Sequence, residues 1–175
     1  MLKRDLQTKN INEKWVTNIT YIHTVKDGWC YLASVMDLYS RKIIGYAISR
    51  SIDSTLAIQA VKNAVRLQKP FNNLILHSDL GCQYTSSAFK EYIGNTNLIM
   101  HSFSSKGYPY DNACIESFHA SLKKEEVHMV TYLDFNTARL AIFEYIEAWY
   151  NRKRLHGSIG YITPQKCEDL ARKSA

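Results

Sequence analysis

The chain has 175 residues, of which 46% are hydrophobic and 22% charged, with a formal net charge of +6. That length suits one domain with a sizeable core, and the basic balance favours a polyanionic partner. No apolar run approaches the ~18 residues of a membrane span, the polar start "MLKRDLQTKN" is no signal peptide, and Cys30, Cys82, Cys114 and Cys167 are too scattered for the paired ligands of a zinc site.

Residues 1–13 are polar and read as a loosely ordered lead-in, with a single domain over 14–175. Residues 14–23 are rich in aromatic and β-branched side chains and predict a strand, interrupted by Asn18, a residue depleted in strands. Asp27-Gly28 signals a hairpin into the apolar run 29–38, and "YSRK" turns the chain into a third strand at 43–49. If the hairpin centres near 26–27, Asp37 stands opposite about residue 16, two residues away from Asn18. Asp53 or Ser54 can cap a helix whose apolar stripe is Leu56, Ala57, Ala60, Val61, Ala64 and Val65. Residues 73–79 predict a fourth strand, 86–95 a short helix ending near Gly94, and 98–103 a fifth strand. The stretch "SSKGYPYDN" at 104–112 is loop in composition. Asp111 can cap a helix to about 128 with Ile115, Phe118 and Leu122 inward. Asp134 opens a longer helix buried along Phe135, Ala138, Ile142, Tyr145, Ile146 and Trp149. Gly157 and Gly160 break the chain beyond that helix, and 163–173 add a helical turn or two. Three meander strands followed by strands with helical crossovers predict an α/β fold, a five-stranded mixed sheet flanked by helices.

Three positions could carry chemistry. Asp79 ends a strand, where open α/β sheets place ligand sites, although it could equally start a turn with Gly81. Glu116, His119 and Lys123 share one helix face, which would hold a metal and touch a phosphate or simply be solvated. Asn18 can be a core amide satisfied by its neighbours. Neither a P-loop nor a GxSxG elbow is present.

Five stretches taken together go further: "WVTNITYI", "MDLYSRKIIGYAIS", "HSDLGCQYTS", "SFSSKGYPYDNACIESFHASLKKE" and "YIEAWYNRKRLHGSIGYITP". In this order they resemble the catalytic core of DDE-type transposases of bacterial insertion sequences, within the retroviral-integrase-like group. The resemblance implies a ribonuclease-H-like fold and metal-dependent DNA cleavage and strand transfer by three acids. Asp79 and Glu116 match the second and third. The first falls at Asn18, where the family pattern W-x-T-D-I-T-Y has aspartate, so impaired metal binding and turnover are expected. The resemblance also implies two Mg2+ or Mn2+ ions at Asn18, Asp79 and Glu116, and DNA as partner. DNA contacts would come from Lys106, Tyr108, His119, Lys123, Arg152, Lys153, Arg154 and His156. It further implies a homo-oligomer, a bacterial cytoplasmic location at the nucleoid, and an upstream helix-turn-helix region not legible before residue 14. His77 and Ser78 read as supports for Asp79, and Asp37 as a poor substitute for the missing acid. Two other readings remain: a catalytically dead DNA-binding or oligomerisation module, and a general nuclease of the same fold.

Overall fold

The computed structural model describes residues 7–71, 73–104 and 112–174. Its centre is a five-stranded sheet in the order β3-β2-β1-β4-β5, built from β1 (Lys14–Thr24), β2 (Gly28–Asp37), β3 (Ile43–Ser49), β4 (Leu74–Ser78) and β5 (Ile99–Phe103). β1, β2 and β3 pair antiparallel, and β4 and β5 are added parallel to β1. The helices are α1 (Ser54–Gln68), α2 (Cys82–Thr85), α3 (Ser87–Thr96), α4 (Ala113–Leu122), α5 (Phe135–Glu144) and α6 (Pro164–Ser174).

Alternation along the strands divides the core in two. Cys30, Leu32 and Met36 of β2 face one way, with Val16 and Ile22, beneath Ile115, Phe118 and Leu122 of α4 and Ile142 of α5. Ala33 and Val35 face the other way, with Trp15, Leu74 and Leu76, beneath the Ala57, Ala60, Val61 and Ala64 stripe of α1 and Phe89 of α3. The small stripe on α1 lets that helix lie very close to β3. A methyl placed on Gly45 would stand 2.5 Å from the Ala64 backbone nitrogen and 2.6 Å from the Ala60 carbonyl oxygen. Backbone cannot swing aside as a side chain can, so Gly45→Ala should cost about 3 kcal/mol, the upper end for overpacking. Urea unfolding of the two proteins measures it.

Several expected features shift, each for a physical reason. The hairpin closes on Thr24↔Gly28 with a three-residue loop, Val25 to Asp27, and Gly28 at φ +70°. A two-residue turn would have moved the register by one. Asp37 therefore stands opposite Trp15, three residues from Asn18, and not opposite residue 16. It is buried and caps the following turn, accepting from Asn12 N, Tyr39 N, Ser40 N and Ser40 Oγ. A carboxylate so committed cannot replace a missing acid at Asn18. α3 ends on Asn97 in the left-handed region, three residues past Gly94. α4 passes into a π-helical segment at Lys123–Val127, and α5 into another at Tyr145–Tyr150. The wider π turn brings Tyr150 into the core where an α-helical count had placed Trp149, which is exposed and donates Nε1–H to Glu125. α6 runs 11 residues. The described part of the lead-in is tied down through Asn12, which takes the Trp15 Nε1–H, and Glu13, whose carbonyl accepts from Ile75.

Candidate active site

Strand register positions the first two candidate residues. β1 pairs with β4 over Lys14↔Ile75, Trp15↔Leu76 and Val16↔His77. Continued two residues, that register brings Asn18 beside Asp79, the residue after the end of β4. β1 runs on past this point paired with β2, where Asn18 faces Ser34. Asn18 is half-buried, and its Oδ1 accepts the N–H of Ile19 at 2.7 Å. Asp79 is half-buried too, and its Oδ1 accepts the N–H of Gly81 at 2.9 Å, opening the turn into α2. Tyr84 connects the two strands: its hydroxyl meets Thr17 Oγ1 at 3.1 Å. Burial pushes that phenol well above its usual range, and the charge of Asp79 adds to the shift against the Thr17 hydrogen bond.

α4 brings the third candidate. Asn112, at its N-terminus, donates from Nδ2 to the Thr17 carbonyl at 3.5 Å, and His119 Nε2 meets Ser34 Oγ at 3.3 Å. Asn112, Glu116 and His119 recur at i, i+4 and i+7, a single helix stripe. The two outer members touch the neighbour of Asn18 in sequence and its partner across the sheet. Glu116 lies between them on that stripe and is exposed. Three elements thus carry Asn18, Asp79 and Glu116 to one end of the sheet.

Behind Asp79, β4 is locked to β5 by side chains. The buried His77 ring bonds Ser102 Oγ at 3.2 Å and Ser104 Oγ at 3.0 Å. Ser78 Oγ donates to the Asp79 carbonyl and meets His101 Nε2, both at 2.9 Å. Burial pulls His101 down to about 4, helped by His77 and Lys90, so the ring that meets Ser78 is neutral. Asn112, Ser34, Tyr84 and His101 are the site residues that sequence reasoning missed. Each acts across strands or from a helix end, where spacing carries no signal.

Asp79 and Glu116 offer hard anionic oxygens of the kind Mg2+ prefers. Asn18 offers a neutral carbonyl oxygen already engaged by Ile19. Among the described residues, no group of three His, Cys, Asp or Glu side chains is disposed to hold a metal ion. Of the three candidate side chains, two are anionic and one is neutral.

The expected DNA contacts separate into distinct environments. Lys106 and Tyr108 lie outside the described residues. Lys123 is half-buried at the start of the π-helical segment, and Arg152 and Lys153 are exposed. Arg154 is held by Glu125 at 3.1 Å and by Ser121 Oγ at 3.3 Å. His156 stacks edge-on against Tyr150, ring centroids 4.8 Å apart. His119 is buried, facing Ser34 beneath the helix. Burial, with Lys123 adding, pushes its imidazole down to about 3. Its ring should therefore stay neutral from pH 8 to pH 5, and an NMR titration of its ring protons should be flat over that range. A midpoint near 6.5 would place the ring in solvent.

Sheet order, the parallel additions on β1 and the helices on both faces define a ribonuclease-H-like fold. The chain belongs to the integrase core domain family, which matches residues 9–109 and again 97–164. It is 40% identical over 169 residues to the transposase InsF of insertion sequence IS3A from Escherichia coli K12, covering 97% of this chain and 58% of that protein. It is 38% identical to the transposase of insertion sequence element IS904 from Lactococcus lactis, covering 90% and 61%. The chain thus spans about three-fifths of the length of these relatives. Its fold matches the HTLV-2 integrase catalytic core domain solved with magnesium, TM-score 0.67 at 17% identity over 93% of this chain and 99% of that one. The BIV integrase catalytic core domain matches at TM-score 0.62 and 17% identity, covering 93% and 97%. Among the described residues, no helix is long and apolar enough to cross a membrane.

Proposed function

We propose that this chain is the DNA-acting catalytic core of a transposase, in which Asp79 and Glu116 are working acids and Asn18 occupies the position of a third. The observation that carries the reading is the convergence of β1, β4 and α4 on one sheet end. The transposase names of its relatives agree with it. The reaction class is in-line displacement at phosphorus: hydrolysis of a DNA strand, then attack of the freed 3′-hydroxyl on a second strand. A divalent pair, when bound, supplies activation of the entering oxygen and neutralisation of the leaving one. The chain's own part is to fix the carboxylates. Ser78 and His101 hold the Asp79 backbone, and the Thr17 and Ser34 contacts hold the α4 stripe that carries Glu116. Exposure of Glu116 leaves this end open to a strand as wide as DNA.

Asn18 supports a second reading, a DNA-binding or oligomerisation module without turnover. Both are tested on duplex DNA ending in the sequence of the source element. In an Asn18→Asp background, Mn2+-dependent cleavage is expected, and Asp79→Ala or Glu116→Ala should each abolish it. A gel shift by the Asn18→Asp protein with no cleavage supports the module. Equal cleavage of DNA lacking element ends would favour a general nuclease.

A further inference from the structure

Beside α4, on a flank that includes Ser117, lies a cavity of about 240 Å3, lined by Arg41, Ser117, Ser121, Arg154, His156 and Ser158 among others. Among the described residues that line it, none is a carboxylate. We infer that this cavity is a binding site for a phosphoryl group, with Arg41, His156 and the three serine hydroxyls as its donors.

The unpaired atoms carry the inference. Among the described residues, Arg41 Nε and His156 Nε2 are buried atoms without a hydrogen-bond partner. Buried donors are almost always paired, because an unmet one carries the full cost of leaving water. Here one such donor, Arg41 Nε, and a ring nitrogen that donates in its Nε2–H tautomer belong to two residues that line one cavity. Arg41 reaches it from the β2–β3 turn, where it adopts φ +61°, and its Nη1 contacts Cys114 Sγ. That turn spends backbone strain to aim a guanidinium inward.

Electrostatics gives the sign of the guest. Burial, with the charges of Arg154 and Arg41 adding, lowers His156 to about 4. Both guanidiniums also act on the buried Tyr150 hydroxyl, countering part of the rise that burial causes. Two cations and a histidine held neutral chiefly by burial thus share one space. Glu125, paired to Arg154, is the nearby acid and leaves Arg41 unbalanced. A tetrahedral oxyanion answers both needs, since each oxygen accepts several hydrogen bonds and its charge offsets the guanidiniums. The volume admits a phosphoryl group and several waters, each occupying roughly 30 Å3.

Arg154 and His156 were expected among solvent-facing contacts to a DNA backbone. Arg41 had no such expectation, and Asn18, Asp79 and Glu116 are not among the residues that line the cavity. The phosphoryl group can be free phosphate or a backbone phosphodiester of nucleic acid, and binding experiments separate the two. Inorganic phosphate is titrated into the full chain by calorimetry, in EDTA and at ionic strength matched with chloride, while the His156 ring protons are followed by NMR. Saturable one-to-one binding is expected, with a shift of the His156 ring and at least about tenfold weaker binding in Arg41→Gln. The exposed Lys166→Gln, outside the cavity lining, serves as the charge control and should bind phosphate as the unaltered chain does. If a short DNA duplex displaces the phosphate, the natural guest is a backbone phosphodiester; if phosphate binds and the duplex does not compete, it is a free anion. The NMR arm needs no variant, so misfolding of Arg41→Gln cannot mask the outcome. Absence of a saturable response, an unmoved His156 ring at saturation, or equal weakening by Lys166→Gln overturns the assignment. Because EDTA excludes divalent ions, the outcome does not depend on whether the acidic end cleaves DNA.

Discussion

Asn18→Asp should convert a weak metal binder into a firm one, by about a hundredfold in Mn2+ affinity measured by calorimetry. The substitution is nearly isosteric, so packing in β1 is undisturbed and the change isolates one charge. A unit pair at 4 Å and an effective dielectric of about 20 is worth roughly 4 kcal/mol. That sets a ceiling near a thousandfold, and solvation takes back part of it. The site's present geometry is compatible with the change. The Asn18 oxygen already accepts from Ile19 N at 2.7 Å, and a carboxylate keeps that bond with one oxygen while freeing the other. Register places the new charge beside Asp79, so in the absence of metal the two carboxylates repel. Apo Asn18→Asp should then be slightly less stable than the unaltered chain, and addition of Mn2+ should reverse the order in a thermal melt. Equal metal affinity in the two proteins would remove Asn18 from any metal role.

The same residue marks what the sequence made legible. Strand and helix periods gave the sheet, its mixed topology and most of the inward stripes, because burial on one face leaves a period of 2 or 3.6 in the chain. Ile115, Phe118 and Leu122 are buried as their spacing requires. Trp149 is not, because a π turn changes the count of residues per turn and spacing alone does not announce one. The hairpin register slipped by one residue, since Asp-Gly fits both a two-residue turn and the longer loop found here. The significance of Asn18 came from resemblance and not from its own surroundings, for a strand amide reads equally as a satisfied core group. Arg41 was illegible altogether. Its place depends on a left-handed turn between β2 and β3 and on contacts with residues more than 70 positions away, such as Cys114. Candidate residues that end a strand can be read in sequence; those gathered by tertiary packing cannot.

Lys42→Met should destabilise the fold by about 3 kcal/mol at pH 7, and the loss should shrink in acid. Lys42 Nζ lies 2.6 Å from Glu168 Oε2, with the two side chains 10% and 5% exposed. Arg172 Nε donates to Glu168 Oε1 at 2.8 Å, and Gln68 Nε2 reaches the same oxygen at 3.3 Å. This cluster fastens α6 to the end of α1 and the start of β3. Removing one partner of a buried pair costs roughly 3–5 kcal/mol, because the remaining charge is stranded. The lower end applies, since Arg172 remains and is partly exposed. Burial alone would raise the Glu168 carboxyl, but Lys42 and then Arg172 outweigh it and hold it below its ordinary value of 4.5. A depressed carboxylate contributes stability that is complete above the unfolded value and lost as pH falls through the folded one. In Lys42→Met the main opposing charge is gone, burial prevails, and Glu168 protonates more readily. The stranded charge then disappears in acid, so the difference between the two proteins should narrow as pH drops below about 4.5. Asp37, whose carboxyl burial pushes up, contributes with the opposite sign, but it does so in both proteins and largely cancels from the difference. Urea unfolding at pH 7 and pH 4 reads the result directly. A gap that stays constant between the two would mean that Lys42 acts through the packing of its aliphatic stem and not through its charge.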